Sequence, residues 1–300
     1  MQQQFDERNR DLLVNINGEL IHRDEAGVSP FDSSVQGGDA VWEGLRLYQG
    51  RIFKLTEHLV RLRRSAQALA FAHFPCDEEI IGQIKRTLTA NKMRDGVHIR
   101  LTVTRGVKVT SGMDPRLNQN GSTLIVLAEH KAPVYAKTGL KLITSKMRRP
   151  SPEILDPRIH HANLLNSILA KIEANEAGAD DALMLDQRGF VAETNATHVF
   201  LVRDGCVFTS HVVACPEGIT RATVLEICHA QEISSGEMDL TLDDVYDADE
   251  VFCTGTMGEL AAVVEVDGKM IGNGEVGPMT KQLSDFYMKR TASEGVAVAS

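Results

Sequence analysis

The strand-like and helix-like patterns of this 300-residue chain follow one another in an order that does not repeat. Alternating residues from Leu12 to Ile16 run into Asn17-Gly18, a signal for a tight turn. Val97 to Thr104 alternates cleanly between apolar and polar side chains, as a half-buried strand does. Apolar residues at helical spacing predict helices over 55–69 and 164–172. Because strands and helices do not alternate regularly as in a doubly wound sheet, the sequence predicts an α+β fold.

The helix predicted after residue 163 carries an apolar stripe that we expect to face the core, and Gly178 is its expected end. The residues of that stripe are Leu164, Leu165, Ile168, Leu169 and Ile172. Further along, turn signals near 187–189 and 204–205 predict two hairpins, and 267–268 is predicted to be a further turn. A final helix is predicted near 280–288.

Chain length and local composition predict two domains. Three hundred residues exceed what one small core usually needs. The charged, Pro-containing stretch 131–138 is the candidate linker. The predicted boundaries are therefore 1–130, 131–138 and 139–300.

Charge and hydropathy exclude several function classes. No run approaches the roughly 18 consecutive apolar residues of a membrane helix, and the first residues lack the apolar stretch of a signal peptide. A net charge of −9 argues against binding to nucleic acid, which needs a cationic surface. The five cysteines, an odd number without short paired spacings, predict neither a disulfide framework nor a zinc site. We expect a soluble, cytoplasmic protein without a metal centre.

Three short motifs are each compatible with a binding site and with an ordinary structure. Gly218-Ile219-Thr220 opens a helix, whose free amide groups form an anion site or simply a helix start. Gly255-Thr256 follows an apolar strand and fits either a phosphate loop or a plain turn. Glu193 lies at the end of a predicted strand, where it is either a surface acid or the partner of a protonated ring nitrogen.

Two groups of charged residues are similarly ambiguous. His98 and Arg100 lie on the polar face of the strand 97–104, where they line a site or meet solvent on an antiparallel sheet. Arg61, Arg63 and Arg64 form either a small anion site or a solvated helix face.

In combination these motifs resemble the class IV aminotransferases, which are fold-type IV proteins dependent on pyridoxal phosphate. The order and spacing of the motifs match that family across roughly residues 10 to 290, and the branched-chain and D-amino-acid aminotransferase branches are the most similar. The motifs that carry the resemblance are Gly37 to Arg46, His58 to Leu62, Asn163 to Ala174, Glu193-Thr194-Asn195, Gly218 to Arg221 and Thr254 to Leu260.

The resemblance implies a fold and an activity. It implies a homodimer with a small N-terminal α/β domain, a larger C-terminal domain and the site between them. The implied activity is transfer of an amino group between a small amino acid, branched-chain-like or D, and a 2-oxo acid.

The same resemblance assigns roles to single residues. Arg61 would contact the cofactor phosphate, and Glu193 would hold the pyridine nitrogen protonated so that the ring acts as an electron sink. His98 and Arg100 would reach the substrate carboxylate, with Met257 also in the substrate site. The remaining positions assigned to the cofactor are Asn195, Gly218, Ile219, Thr220, Gly255 and Thr256.

One position departs from the family pattern. The family motif reads approximately Ile-Lys-Ser-x-Asn-x-Leu, whereas residues 159–165 read Ile-His-His-Ala-Asn-Leu-Leu. His160 therefore stands where the resemblance places the lysine that binds the cofactor covalently. Imidazole cannot form that stable link, but it can act as a general acid or base because its pKa lies near neutrality.

Three interpretations follow from His160. The chain is a substituted transaminase that binds pyridoxal phosphate non-covalently, if it binds it at all. Alternatively, it is a lyase, isomerase or hydrolase that acts on a small carboxylate without the cofactor, using His160 or His161 as general base and Arg100 as anion anchor. In the third interpretation it is a non-catalytic binding protein.

Overall fold

The computed structural model describes residues 4–135 and 138–299, so residues 136 and 137 of the predicted linker 131–138 lie outside the described residues. The strands are β1 (Leu13–Ile16), β2 (Glu19–His22), β3 (Ala40–Tyr48), β4 (Arg51–Ile52), β5 (Val97–Thr104), β6 (Thr123–His130), β7 (Leu140–Thr144), β8 (Asp181–Leu185), β9 (Val191–Thr194), β10 (His198–Arg203), β11 (Cys206–Ser210), β12 (Ser235–Met238), β13 (Glu250–Gly255), β14 (Glu259–Val266), β15 (Lys269–Met270) and β16 (Val296–Ala297). The α-helices are α1 (Ser33–Gly37), α2 (Leu55–Ala68), α3 (Asp77–Ala90), α4 (Leu165–Glu176), α5 (Ile219–Ala230), α6 (Leu242–Tyr246) and α7 (Pro278–Ser293).

The described residues form two compact units. The N-terminal unit contains residues 4–132, 159–163 and 291–299, and the C-terminal unit contains 133–135, 138–158 and 164–290. The observed units differ from the predicted boundaries because two later segments belong to the N-terminal unit. The segment 159–163 is bonded to β3 through Trp42, whose backbone N–H donates to the carbonyl of His160 at 3.1 Å. The segment 291–299 contains β16, which pairs with β4.

The N-terminal unit is built on an antiparallel sheet in the order β16-β4-β3-β5-β6-β1-β2. Its core lies between one face of this sheet and the helices α2 and α3. Representative core residues are Val41, Leu45, Leu59, Leu62, Ile84, Leu88, Ile99 and Leu101. The predicted strand over 97–104, the turn at Asn17-Gly18 and the helix near 55–69 are confirmed.

The C-terminal unit contains a mixed sheet in the order β12-β11-β10-β13-β14-β7-β8-β9, with β15 paired to β14. The two predicted hairpins are confirmed as β8–β9 and β10–β11, and the predicted turn at 267–268 joins β14 to β15. Apolar residues from these strands form the main core together with Leu240 and Val245. The last helix is longer than predicted, since α7 runs over Pro278–Ser293.

The prediction of which side of α4 faces the core is wrong. Leu165, Ile168, Leu169 and Ile172 are exposed by 65%, 50%, 45% and 45%. The helix instead buries Ala170 and Ala174 against Ala182 and Met184 on β8. Small side chains let a helix approach a sheet closely, so the alanine side of α4 meets the core and the larger apolar side faces outward. The predicted stop is confirmed, since Gly178 has φ +71° just after the helix.

Every helix within residues 4–135 and 138–299 is too short or too polar to span a lipid bilayer. Within the same residues, no group of three or more His, Cys, Asp or Glu side chains is arranged to hold a metal ion.

Candidate active site

The backbone around His160 is fixed against β3. The carbonyl oxygen of His160 accepts the backbone N–H of Trp42, and the carbonyl of His161 accepts the indole Nε1–H of Trp42 at 3.0 Å. The N–H of His160 donates to the hydroxyl of Ser65 on α2 at 3.0 Å. None of these bonds uses the side chain of residue 160. The backbone position at residue 160 therefore does not depend on which side chain it carries.

The ring of His160 stacks on Trp42, with ring centroids 4.3 Å apart and planes 26° apart. Its Nδ1 lies 2.5 Å from the carbonyl oxygen of Trp42. A carbonyl oxygen only accepts, so Nδ1 carries the hydrogen. Burial, and secondarily the charge of Arg61, lowers the pKa of His160, although Glu43 opposes them. The ring is therefore neutral at pH 7, with the Nε2 lone pair available as a base.

Arg61 is a buried residue of the N-terminal unit and forms a two-bond ion pair with Glu43. Its Nε donates to Oε1 of Glu43 at 2.8 Å and its Nη2 donates to Oε2 at 2.7 Å. Burial raises the pKa of Glu43, but the charge and hydrogen bonds of Arg61, together with the interaction with His160, outweigh burial and hold the pKa well below its usual range. Arg61 is therefore buried rather than solvated, whereas Arg64 of the same basic cluster on α2 is exposed.

The polar face of β5 carries one cation and one neutral imidazole. The guanidinium carbon of Arg100 lies 3.5 Å from the ring centroid of Trp42, and burial lowers the pKa of Arg100 only to about 10. Burial, followed by the charges of Lys131, Arg100 and Arg46, lowers the pKa of His98 to about 3. The Nδ1 atom of His98 is buried and has no hydrogen-bond partner among the residues that the structure describes. This face can therefore bind a carboxylate through Arg100 and a hydrogen-bonding group through His98.

Glu193 lies in the C-terminal unit, on β9, and is buried. Its Oε1 lies 2.9 Å from Nη2 of Arg149. The Nε of Arg149 donates to the carbonyl of Ala214 at 3.2 Å, in the segment that leads to α5. Sequence reasoning missed Arg149, because an arginine in a proline-containing loop gives no sign of a partner far along the chain.

The N-cap residue of α5 supplies no side-chain cap. Gly218 is that residue, and it has no side chain that could accept from the first amide groups. A Cβ atom at Gly218 would lie 2.3 Å from the ring of His198, so a larger residue does not fit there. Thr220 is buried in the first turn of α5. The start of α5 is therefore a set of amide donors packed against His198.

The end of β13 meets the same histidine, since Thr254 is the cross-strand partner of His198. The hydroxyl of Thr254 is buried without a hydrogen-bond partner in the described part of the chain. Gly255 pairs with Glu259, which leaves Thr256, Met257 and Gly258 as the connecting turn. His198 thus brings Gly218 and Gly255 to neighbouring places in the C-terminal unit.

Two predicted site residues have structural partners. Asn195 accepts the backbone N–H of Ala182 at 2.8 Å and donates to Asp181 at 3.2 Å, which ties β9 to β8. The Nδ1 of His161 accepts the N–H of Asn163 at 3.2 Å. Both side chains are therefore engaged within their own units.

Residues 40–266 match the family model described as amino-transferase class IV. The chain belongs to the class IV aminotransferase family. The resemblance that the motifs predicted is therefore confirmed.

Two of the relatives of this family member are named as a putative branched-chain aminotransferase and as a protein similar to one. Branched-chain-amino-acid aminotransferase-like protein 1 of Arabidopsis thaliana is 54% identical over 291 residues, which are 97% of this chain and 52% of that protein. The chain thus spans about half the length of that relative. A putative branched-chain-amino-acid aminotransferase of Methanocaldococcus jannaschii is 39% identical over 288 residues, or 96% of this chain and 99% of the relative.

A solved structure of the family has the same fold. The branched-chain amino acid aminotransferase of Thermobaculum terrenum, in its pyridoxal-phosphate form, superposes with a TM-score of 0.84 at 28% identity and covers 95% of each chain. The predicted fold-type IV α+β class is therefore confirmed.

Proposed function

We propose that this class IV aminotransferase-family protein binds pyridoxal phosphate non-covalently and transfers amino groups slowly. The proposed substrates are a small amino acid, branched-chain-like or D, and a 2-oxo acid. The observation that carries this proposal is the bond from His160 Nδ1 to the Trp42 carbonyl, which leaves Nε2 as an available base at the family's lysine position. A related enzyme solved with pyridoxal phosphate supports the choice of cofactor.

The donors of the C-terminal unit fit a phosphate and a pyridine ring. The amide groups at the start of α5, where the N-cap residue is a glycine without a side chain, favour an anion. The buried, unsatisfied hydroxyl of Thr254 lies beside Gly255 and suits a polar ligand. Glu193, a buried carboxylate with a guanidinium neighbour, suits a protonated ring nitrogen. When bound, pyridoxal phosphate supplies an aldehyde for the amino group and a ring that withdraws electrons.

Each residue then has a role in the proposal. Ile219, Thr220 and Thr256 would bind phosphate oxygens, and Arg61 would contribute its charge. Glu193 accepts the hydrogen of the ring nitrogen. In the proposal, Nε2 of His160 moves the proton at the substrate Cα. A positioned proton-transfer group of this kind raises the rate by about a hundred to ten thousand-fold. The activity is nevertheless slow because imidazole cannot hold the cofactor covalently.

Substrate size and charge follow from β5. Arg100 is cationic at neutral pH and suits a carboxylate, whereas neutral His98 can only accept or donate a hydrogen bond. Branched-chain amino acids are the first to assay, since the relatives carry that name.

We also propose that the protein is a homodimer that pairs through α4. Its four exposed apolar residues lie at spacings of three and four, so they form one continuous stripe: Leu165, Ile168, Leu169 and Ile172. Two copies of one stripe can pack on each other about a two-fold axis. Sedimentation velocity of the native chain at micromolar concentration tests this, and a monomer would contradict it.

An absorbance titration with pyridoxal phosphate tests the proposed function. We expect a band near that of the free aldehyde, saturating with the cofactor and lost on dialysis. A Glu193→Gln variant is the comparison, and we expect weaker binding by it. The absence of binding at millimolar cofactor would overturn the proposal and favour chemistry by His160 without the cofactor.

A further inference from the structure

Glu43 is a carboxylate at a core-facing position of β3. Its neighbours on the same face of the strand, Val41 and Leu45, are part of the apolar core, and its cross-strand partner is Leu101. Strand alternation therefore predicts an apolar residue at position 43. The side chain is nevertheless fully buried and ionised.

Three side chains converge on this carboxylate. Arg61 binds both oxygens, and Nδ1 of His58 lies 2.7 Å from Oε2. The Nδ1 atom of His160 lies 3.4 Å from Oε1. His58, Arg61 and Ser65 follow one another at helical spacing, so one polar face of α2 serves both Glu43 and the backbone of His160.

Stability alone does not account for this arrangement. A buried ion pair is often no more stabilising than apolar residues of the same volume, because desolvation offsets the attraction. What a two-bond arginine–carboxylate pair does provide is a fixed orientation of the guanidinium plane. Glu43 therefore determines where the Arg61 charge lies.

We infer that Glu43 is a positioning residue that orients Arg61 for an anionic ligand and sets the charge environment of His160. The inference rests on the proposed function, in which Arg61 contributes to binding the cofactor phosphate. Glu43 itself touches no ligand; it acts through the two side chains that it holds.

The first measurement is ligand binding by a Glu43→Gln variant, which keeps the size of the side chain but removes its charge. Its affinity for inorganic phosphate and for pyridoxal phosphate is measured by isothermal titration calorimetry. We expect Kd to rise about tenfold to a hundredfold, as for the loss of one or two charge-assisted hydrogen bonds. Asp77→Asn is the matched control, since Asp77 pairs with Arg63 on the outer side of α2, and it should leave Kd unchanged.

The second measurement needs no bound cofactor, so it separates this inference from the proposed function. The titration of His160 is followed by NMR of ¹⁵N-histidine-labelled protein, with His160→Gln assigning the signal. The charged groups that face His160 are Glu43 from β3 and Arg61 from α2, and His58 contacts the same carboxylate. Removing the Glu43 charge leaves Arg61 unopposed, so the midpoint should move to lower pH.

The outcomes are distinct. Weak binding by the native chain together with a shifted His160 midpoint overturns the proposed function but supports the positioning role. An unchanged Kd and an unchanged midpoint in Glu43→Gln overturn the inference. If that variant does not fold, Glu43→Asp retains the charge at shorter reach; it should raise Kd, and an affinity equal to that of the native protein would contradict the role.

Discussion

The Nδ1 atom of His160 lies 2.5 Å from the carbonyl oxygen of Trp42, and this contact determines which ring nitrogen carries the hydrogen. The same Trp42 ring stacks on His160 and contacts the guanidinium of Arg100. One aromatic side chain of the N-terminal unit thus links the proposed base to the proposed carboxylate anchor.

Replacing His160 by lysine should create a covalent site for the cofactor. The backbone of residue 160 is held by Trp42 and Ser65 without its side chain, so a lysine there starts from the same place. After borohydride reduction, mass spectrometry should find the cofactor attached to His160→Lys and not to the control His161→Lys. Transamination of branched-chain amino acids with 2-oxoglutarate should rise, because lysine supplies the covalent link that imidazole cannot form. Continued inactivity would indicate a pocket adapted to other chemistry.

Removing Arg149 should destabilise the protein. The Arg149→Met variant removes the guanidinium that pairs with the buried Glu193 carboxylate, and breaking a buried pair in this way costs about 3–5 kcal/mol. Urea unfolding measures the loss. Arg63→Met is the control because its pair with Asp77 is partly exposed, so the expected loss is about 0–1 kcal/mol. Equal losses in the two variants would argue against a buried pair at Glu193.

An alanine at position 218 should disturb the start of α5. The added Cβ would lie 2.3 Å from the His198 ring, so the ring or the helix must move. We expect a destabilisation of about 1–3 kcal/mol by thermal unfolding, together with weaker phosphate binding. Gly27→Ala is the control, since its Cβ would meet no atom within 4 Å. Native phosphate affinity in Gly218→Ala would count against the proposed cradle.

Stability should fall as the pH is lowered because of His98. Burial lowers its pKa to about 3 in the folded protein, against 6.5 ordinarily. Below pH 6.5 the unfolded chain therefore binds a proton that the folded chain does not. The contribution of His98 to the free energy of unfolding is fully present above pH 6.5 and is lost as the pH falls toward 3. The expected slope is about 1.4 kcal/mol per pH unit at most. Urea unfolding of the native protein and of His98→Asn, compared between pH 7 and 5, measures it; a constant difference between them would refute the assignment.

A charge on the apolar side of α4 should break the proposed dimer. Ile168 is half exposed, so Ile168→Glu should shift sedimentation to the monomer while the unfolding midpoint changes little. Met113→Glu, at a side chain that is 98% exposed in the N-terminal unit, should leave the association state unchanged. A dimer that tolerates Ile168→Glu would show that α4 lies outside the interface.

Sequence patterns predicted elements whose signal lies within a few neighbouring residues. The alternation of 97–104 and the Asp-Gly turns specified strands and hairpins because side-chain direction repeats every two residues. The family was likewise predicted from the order of short motifs, and Gly218 was among the positions assigned to the cofactor.

Tertiary structure alone decided which surfaces meet. Periodicity placed Leu165, Ile168 and Ile172 on one side of a helix, but only packing showed that the alanine side faces the core. Likewise, only the folded chain brings Arg61, on the helix α2, against Glu43 of β3. The physical reason is that a local repeat determines which side chains share a face, whereas partners distant in sequence meet only when the folded chain excludes water between them.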